Sequence, residues 1–149
     1  MLGTIVTHLA RKHAPDVRVC FRDGMWMHRA QDHTFVDFPA LDYCPPMFPA
    51  WRNEARRLEA NVIDHWFYLY KCRLGDVILD IGAGKGEDTL TFSKAVGPAG
   101  RVISIEAHPV TFRCLQMFCE LNNIRNVTPR NYAVVDSVGP LAMESTTSW

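Results

Sequence analysis

No apolar run in this 149-residue chain approaches the roughly 18 residues that a membrane-crossing helix needs. An excess of one charge is lacking too. Sixteen basic and sixteen acidic residues leave a formal net charge of zero. That balance gives no general reason to expect nucleic acid or an anionic membrane surface as a partner. Internal repeats and low-complexity tracts are missing, which sets aside solenoids and disordered tails. The first dozen residues, MLGTIVTHLARK, have too short an apolar stretch and no small-residue cleavage site, so no signal peptide is expected and the expected location is cytoplasmic. Five cysteines (Cys20, Cys44, Cys72, Cys114, Cys119) form an odd and scattered set. That pattern excludes a disulfide framework and a zinc knuckle, and it suits small apolar residues in a reducing compartment. The Asn126-Val127-Thr128 sequon is then expected to be a coincidence.

What is present is enough to fold. Hydrophobic residues make up 48% of the chain and charged ones 21%, and a domain of this length buries about 70% of its unfolded surface. Two regions differ in character: residues 1–74, an extension of strands and one long helix, and residues 75–149, where strand and helix alternate. In the first, residues 2–10 predict a short helix. Residues 17–22, 25–28 and 34–38 alternate as strands around an Asp23-Gly24 turn, a small antiparallel meander. Pro39, Pro45, Pro46 and Pro49 then punctuate a loop. Trp51, Ala55, Leu58, Val62, Trp66 and Leu69 step by three and four along one face of a long helix, which Gly75 is placed to terminate. An aromatic stripe at that spacing is read as packing.

From residue 76 the period changes again. Residues 76–81 (DVILDI) read as a strand buried on both faces. Residues 87–96 predict a helix, 101–106 a strand, and 109–122 a helix opened by Pro109. A third strand starts at Asn126 and ends between Asn131 and Ala133, with Pro129 suited to a sheet edge or bulge. The expected class is α/β, a Rossmann-like parallel sheet preceded by the meander and the helix.

Residues 80–86 (DIGAGKG) close the first of these strands and open its helix. Gly82, Gly84 and Gly86 leave no Cβ between backbone and ligand, and the helix N-terminus aims free N–H groups over the loop. A P-loop does not fit, because Gly84-Lys85 continues with Gly86 and Leu79 stands where the first glycine is needed. A dinucleotide loop would need glycine where Glu87 stands, and a carboxylate there repels a pyrophosphate. A nicotinamide-dependent protein therefore stays a weaker alternative. The spacing Asp80, Gly82, Gly84, Gly86 and then Glu106 resembles the first motif, and the acidic position after it, of class I S-adenosylmethionine-dependent methyltransferases. That ligand has no phosphate, so an acidic loop tolerates it. The helix end suits its methionyl carboxylate, and the two oxygens of Glu106 suit both ribose hydroxyls.

Residues 75–83 (GDVILDIGA) and 96–106 (VGPAGRVISIE) look like the FkbM-type methyltransferase family, as do Pro109, Phe112, Leu115, Leu121-Asn122, Asn126-Val127 and residues 133–136 (AVVD). The resemblance spans residues 75–143 and implies a Rossmann-like sheet, S-adenosyl-L-methionine as cofactor, and methyl transfer to a hydroxyl of a sugar or other small molecule. It implies cofactor contacts at Gly82, Ala83, Gly84, Gly86, Glu106 and Ala107. Asp80 would shape the loop, and residues 131–133 would lie near the adenine, with Asn131 and Ala133 in contact. Gly84 and Ala107 stand where the family commonly has Asn and Pro, and Lys85, Glu87 and Asp88 charge the loop more than usual.

Only three strands of this sheet can be counted, so the expectation is a partial methyltransferase with an intact cofactor loop and an incomplete acceptor side. A non-catalytic module that associates through an open sheet edge is the other class kept in view. His108 is read as a helix opener, and His28 and His33 are expected at the surface.

Overall fold

In the computed structural model the described residues are 14–38 and 53–140, with the single positions 8, 12 and 142. The expected helix over residues 2–10 (position 8 apart), the proline loop and Trp51 lie outside them.

The meander forms as expected. Strands β1 (Arg18–Arg22), β2 (Met25–Ala30) and β3 (His33–Asp37) pair antiparallel, with Arg22 opposite Met25 and Ala30 opposite His33. Asp23 and Gly24 both take positive φ, 54° and 77°, the left-handed pair whose twist matches the strands of a two-residue hairpin.

Helix α1 (Glu54–His65) is shorter than its apolar stripe predicts. Ala55, Leu58 and Val62 are buried, whereas Trp66 and Leu69 are exposed. Four of residues 66–70 are aromatic, and aromatics lose rotamer freedom in a helix. The carbonyl of Val62 takes both the Trp66 and Phe67 N–H groups, which closes the helix early. Gly75 does adopt a positive φ of 92°, but in the turn before the next strand and not as the helix cap.

Strands β4 (Val77–Ile81), β5 (Arg101–Ile105) and β6 (Val127–Arg130) then form a parallel sheet in that order. Val77 pairs with Arg101 and Val102 with Val127. Helices α2 (Glu87–Val96) and α3 (Pro109–Leu121) are the two crossovers, a partial Rossmann-like α/β arrangement. Pro129 sits on the edge strand β6, where a missing N–H costs no ladder bond on the open side.

One expectation is overturned here. β4 is not buried on both faces: Val77, Leu79 and Ile81 are 66, 57 and 56% exposed. The crossover helices cover the other face, where Asp80, Val102, Ser104 and Val127 are buried. No described element covers the first.

The meander packs against the outer side of α3. Phe35 stacks on Phe118 at 5.7 Å, and Met25, Met27, Phe35 and Val36 share one core with Leu115 and Phe118. The α3 cap Asn122 works as a backbone mimic. Its amide accepts from Thr34 N at 2.8 Å and donates to Thr34 O at 2.7 Å.

Candidate functional site

The glycine loop is a turn between the end of β4 and the start of α2. Gly82, Gly84 and Gly86 have φ of 77°, 57° and 96°, all in the left-handed region that an L side chain rarely adopts. Their surroundings separate them. A Cβ on Gly82 or Gly84 would meet nothing within 4 Å, so these two leave an open approach for a ligand. A Cβ on Gly86 would lie 2.8 Å from Phe118 Cδ1 and 2.9 Å from Leu115 Cδ1, so this one lets α2 start close against α3.

The loop is pinned from beneath by β5. Gly82 N and Ala83 N both donate to Ile105 O, at 2.9 and 3.0 Å, and Gly86 N donates to Ala83 O at 3.0 Å. Asp80 ties together the elements that carry the loop. Its Oδ2 accepts from Thr89 Oγ1 at 2.6 Å and from Ser104 Oγ at 3.2 Å, which joins β4, α2 and β5. Burial pushes its carboxyl above the usual range, and the two hydroxyls partly offset that.

Glu106 lies across the loop. Its Oε2 accepts from Gly84 N at 3.0 Å and its Oε1 from His108 N at 2.8 Å. Each carboxylate oxygen can accept two hydrogen bonds, so a second acceptor position remains on each. Asn131 lies next to it, donating to the carbonyls of Glu106 and Ala107 at 2.8 and 2.9 Å. Ala107, Asn131 and Ala133 share the wall of one cavity of about 470 Å³ with Tyr132, Val134, Val135 and residues 137–140. The fold thus places the predicted residues as two adjoining parts, a glycine loop bridged by Glu106 and a cavity beyond Ala107.

His108 does open α3. It is the N-cap, with Nδ1 3.5 Å from Thr111 N. The expectation for His28 is overturned: it is buried, 3% exposed, with Nδ1 3.2 Å from Asp37 Oδ2. His33 is half-buried, and burial with Lys94 nearby lowers its pKa. Both sit on strands covered by other elements, which alternation within the strand does not reveal. Asn126 of the sequon is occupied structurally, its amide donating to Ser93 O and Gly97 O, both at 2.9 Å. The described cysteines form no disulfide, and burial pushes Cys114 up to about 11 and Cys119 up to about 12. Among the described residues no cluster suits a metal ion, and no helix is long and apolar enough to cross a membrane.

Lys85 carries no signal in the sequence beyond its charge. Its ammonium binds Asp37 Oδ1 on β3, lies 5.7 Å from the Phe38 ring, and is 3.5 Å from Glu87 Oε1. Only a pairing across 48 positions could have revealed it.

No curated protein matches the chain. Among solved structures it is similar to a SAM-dependent methyltransferase from Aquifex aeolicus, at 19% identity over 60% of this chain and 50% of that one, with a TM-score of 0.44. M. jannaschii TYW2 in complex with AdoMet matches at 22% identity over 72% of this chain and 43% of that one, TM-score 0.46. A protein-L-isoaspartate O-methyltransferase matches at 22% identity over 74% of this chain and 26% of that one, TM-score 0.40. The chain spans between about a sixth and a half of the length of these and other solved structures it matches. A family profile, Protein-L-isoaspartate(D-aspartate) O-methyltransferase, matches residues 56–142, more than half of the chain and the whole of the glycine loop, Glu106 and the cavity beyond it. The chain belongs to that methyltransferase family.

Proposed function

We propose that this chain is the cofactor-binding part of an S-adenosylmethionine-dependent O-methyltransferase. The observation that carries the reading is the Glu106 carboxylate bridging the glycine loop, 3.0 Å from Gly84 N, with acceptor capacity left on both oxygens. Glu106 would take the two ribose hydroxyls. The start of α2 would face the methionyl carboxylate, because the first N–H groups of a helix lack intrahelical partners. Gly82, Ala83, Gly84 and Gly86 would supply the backbone that approaches the ligand. The cavity wall of Ala107, Asn131 and Ala133 would receive the adenine. When bound, the cofactor would supply a sulfonium methyl group for transfer to an acceptor oxygen, with S-adenosylhomocysteine as the leaving thioether. Residues of this chain hold and orient it.

For the acceptor, the family match favours a carboxylate in a polypeptide over the sugar or small-molecule hydroxyl that the FkbM-type resemblance implies. A carboxylate is already ionised at neutral pH, whereas a hydroxyl needs a base. A cytoplasmic setting fits the free, buried thiols.

Calorimetric titration with S-adenosylmethionine tests the cofactor reading. Saturable binding is expected, weakened at least about tenfold in Glu106→Ala, since hydrogen bonds to a charged group contribute about 1.5–3 kcal/mol. No binding by the wild type, or binding indifferent to that substitution, would sink it. Transfer of labelled methyl to an isoaspartyl peptide in preference to a monosaccharide tests the acceptor.

A further inference from the structure

Lys85 is the middle residue of the Gly84-Lys85-Gly86 turn, and its side chain leaves the loop for the meander. There it meets a carboxylate that is already held. Asp37 is buried, its Oδ2 lies 3.2 Å from His28 Nδ1, and its Oδ1 takes the Lys85 ammonium. Burial alone would raise the Asp37 pKa, but His28 and Lys85 together hold it below the usual range. The group is therefore a charged anchor, set on a strand whose register is fixed by pairing with β2.

Glycines lose more conformational freedom on ordering than any other residue. A turn with glycine on both sides of its middle residue has little of its own to keep it in one shape. A ligand that must order such a loop loses affinity by the ordering cost. We propose that Asp37 and Lys85 are positioning residues. The part-buried ion pair ties the centre of the loop to β3 and holds Gly84 and Gly86 in the geometry that receives the cofactor. His28 orients Asp37 for that task. The meander is then a support for the cofactor loop as well as a cover for α3. This inference rests on the glycine loop being the cofactor site.

The test uses the full 149-residue chain with Lys85→Gln, Asp37→Asn and the double variant, read in two ways. Amide hydrogen exchange in the ligand-free protein reports the loop, and calorimetry with S-adenosylhomocysteine reports affinity. Exchange at Gly84 and Gly86 is expected to rise about tenfold in each variant, with Val102 and Ser104 on β5 unchanged. Affinity is expected to fall roughly tenfold in each single variant and no further in the double, because coupled residues are not additive. Unchanged exchange at Gly84 and Gly86 would overturn the proposal. So would a rise shared equally by Val102 and Ser104, which a purely structural pair would produce. Lys85→Gln leaves the His28–Asp37 contact in place, so it remains informative should Asp37→Asn fold poorly. A wild type that fails to bind would remove the cofactor reading and this inference with it, whereas a wild type that binds while its loop is indifferent to the variants would overturn the inference alone.

Discussion

Two buried carboxylates in this chain respond to their surroundings in opposite directions. Asp37 is surrounded by cationic or hydrogen-bonding nitrogen, and its pKa falls. Asp80 meets only the hydroxyls of Thr89 and Ser104, and its pKa rises because burial outweighs them. The consequences for stability are opposite in sign. A lowered carboxyl contributes stability that is present above the ordinary carboxylate range and is lost as pH falls through its folded value. Asp37→Asn should therefore flatten the loss of stability on acidification, measured as urea midpoints from pH 6 down. A raised carboxyl acts in reverse: the folded state holds its proton longer, so stability is lost as pH rises from the unfolded to the folded value. Asp80→Asn keeps one acceptor oxygen and removes the charge, so its midpoint should lack that decline. A steeper decline in Asp80→Asn than in the wild type would contradict the assignment.

At the scale of elements, the ends matter more than the middles. α3 begins at a proline with a His108 cap and ends at Asn122, whose side chain binds both backbone groups of Thr34. Asn122→Ala leaves one N–H and one C=O of β3 without those partners. The expected cost is about 2 kcal/mol, since a part-buried unsatisfied group costs about 1–3 kcal/mol, and chemical denaturation measures it. A loss below about 0.5 kcal/mol would mean that water replaces the amide fully. The strand-to-helix period change is legible in residues 76–122 because each element carries its own repeat, its glycine turns and its proline. α1 is the exception. Its apolar stripe runs on to Leu69 in the sequence, but the helix closes at His65 because the Val62 carbonyl takes two successive N–H groups.

Among the described residues, the sheet has helices on one face and an exposed apolar row, Val77, Leu79 and Ile81, on the other. Side chains already in water contribute little to folding. Leu79→Ser should change the unfolding free energy by no more than about 0.5 kcal/mol, whereas Leu115→Ala in the core should cost about 2–5 kcal/mol. Among the described residues β4 and β6 are the edges of the sheet, and edges beside an apolar face favour association. Apparent mass by light scattering is expected to rise with concentration, and to rise less in Leu79→Ser. A mass independent of concentration would show that the face is tolerated in water.

The sequence by itself determined the elements of the second half and the glycine loop between the first two of them, because both rest on local rules. Period, glycine spacing and an acidic residue at the end of the next strand need no knowledge of distant neighbours. Tertiary structure alone decided what lies beneath and beside that loop. His28 reads as a surface residue until the meander folds onto α3 and buries it. Lys85 reads only as an added charge in the loop until β3 brings Asp37 against it. DVILDI reads as doubly buried until both helices take the same face of the sheet. Burial and charge pairing are properties of residues far apart in the chain, and no local pattern specifies which of them will meet.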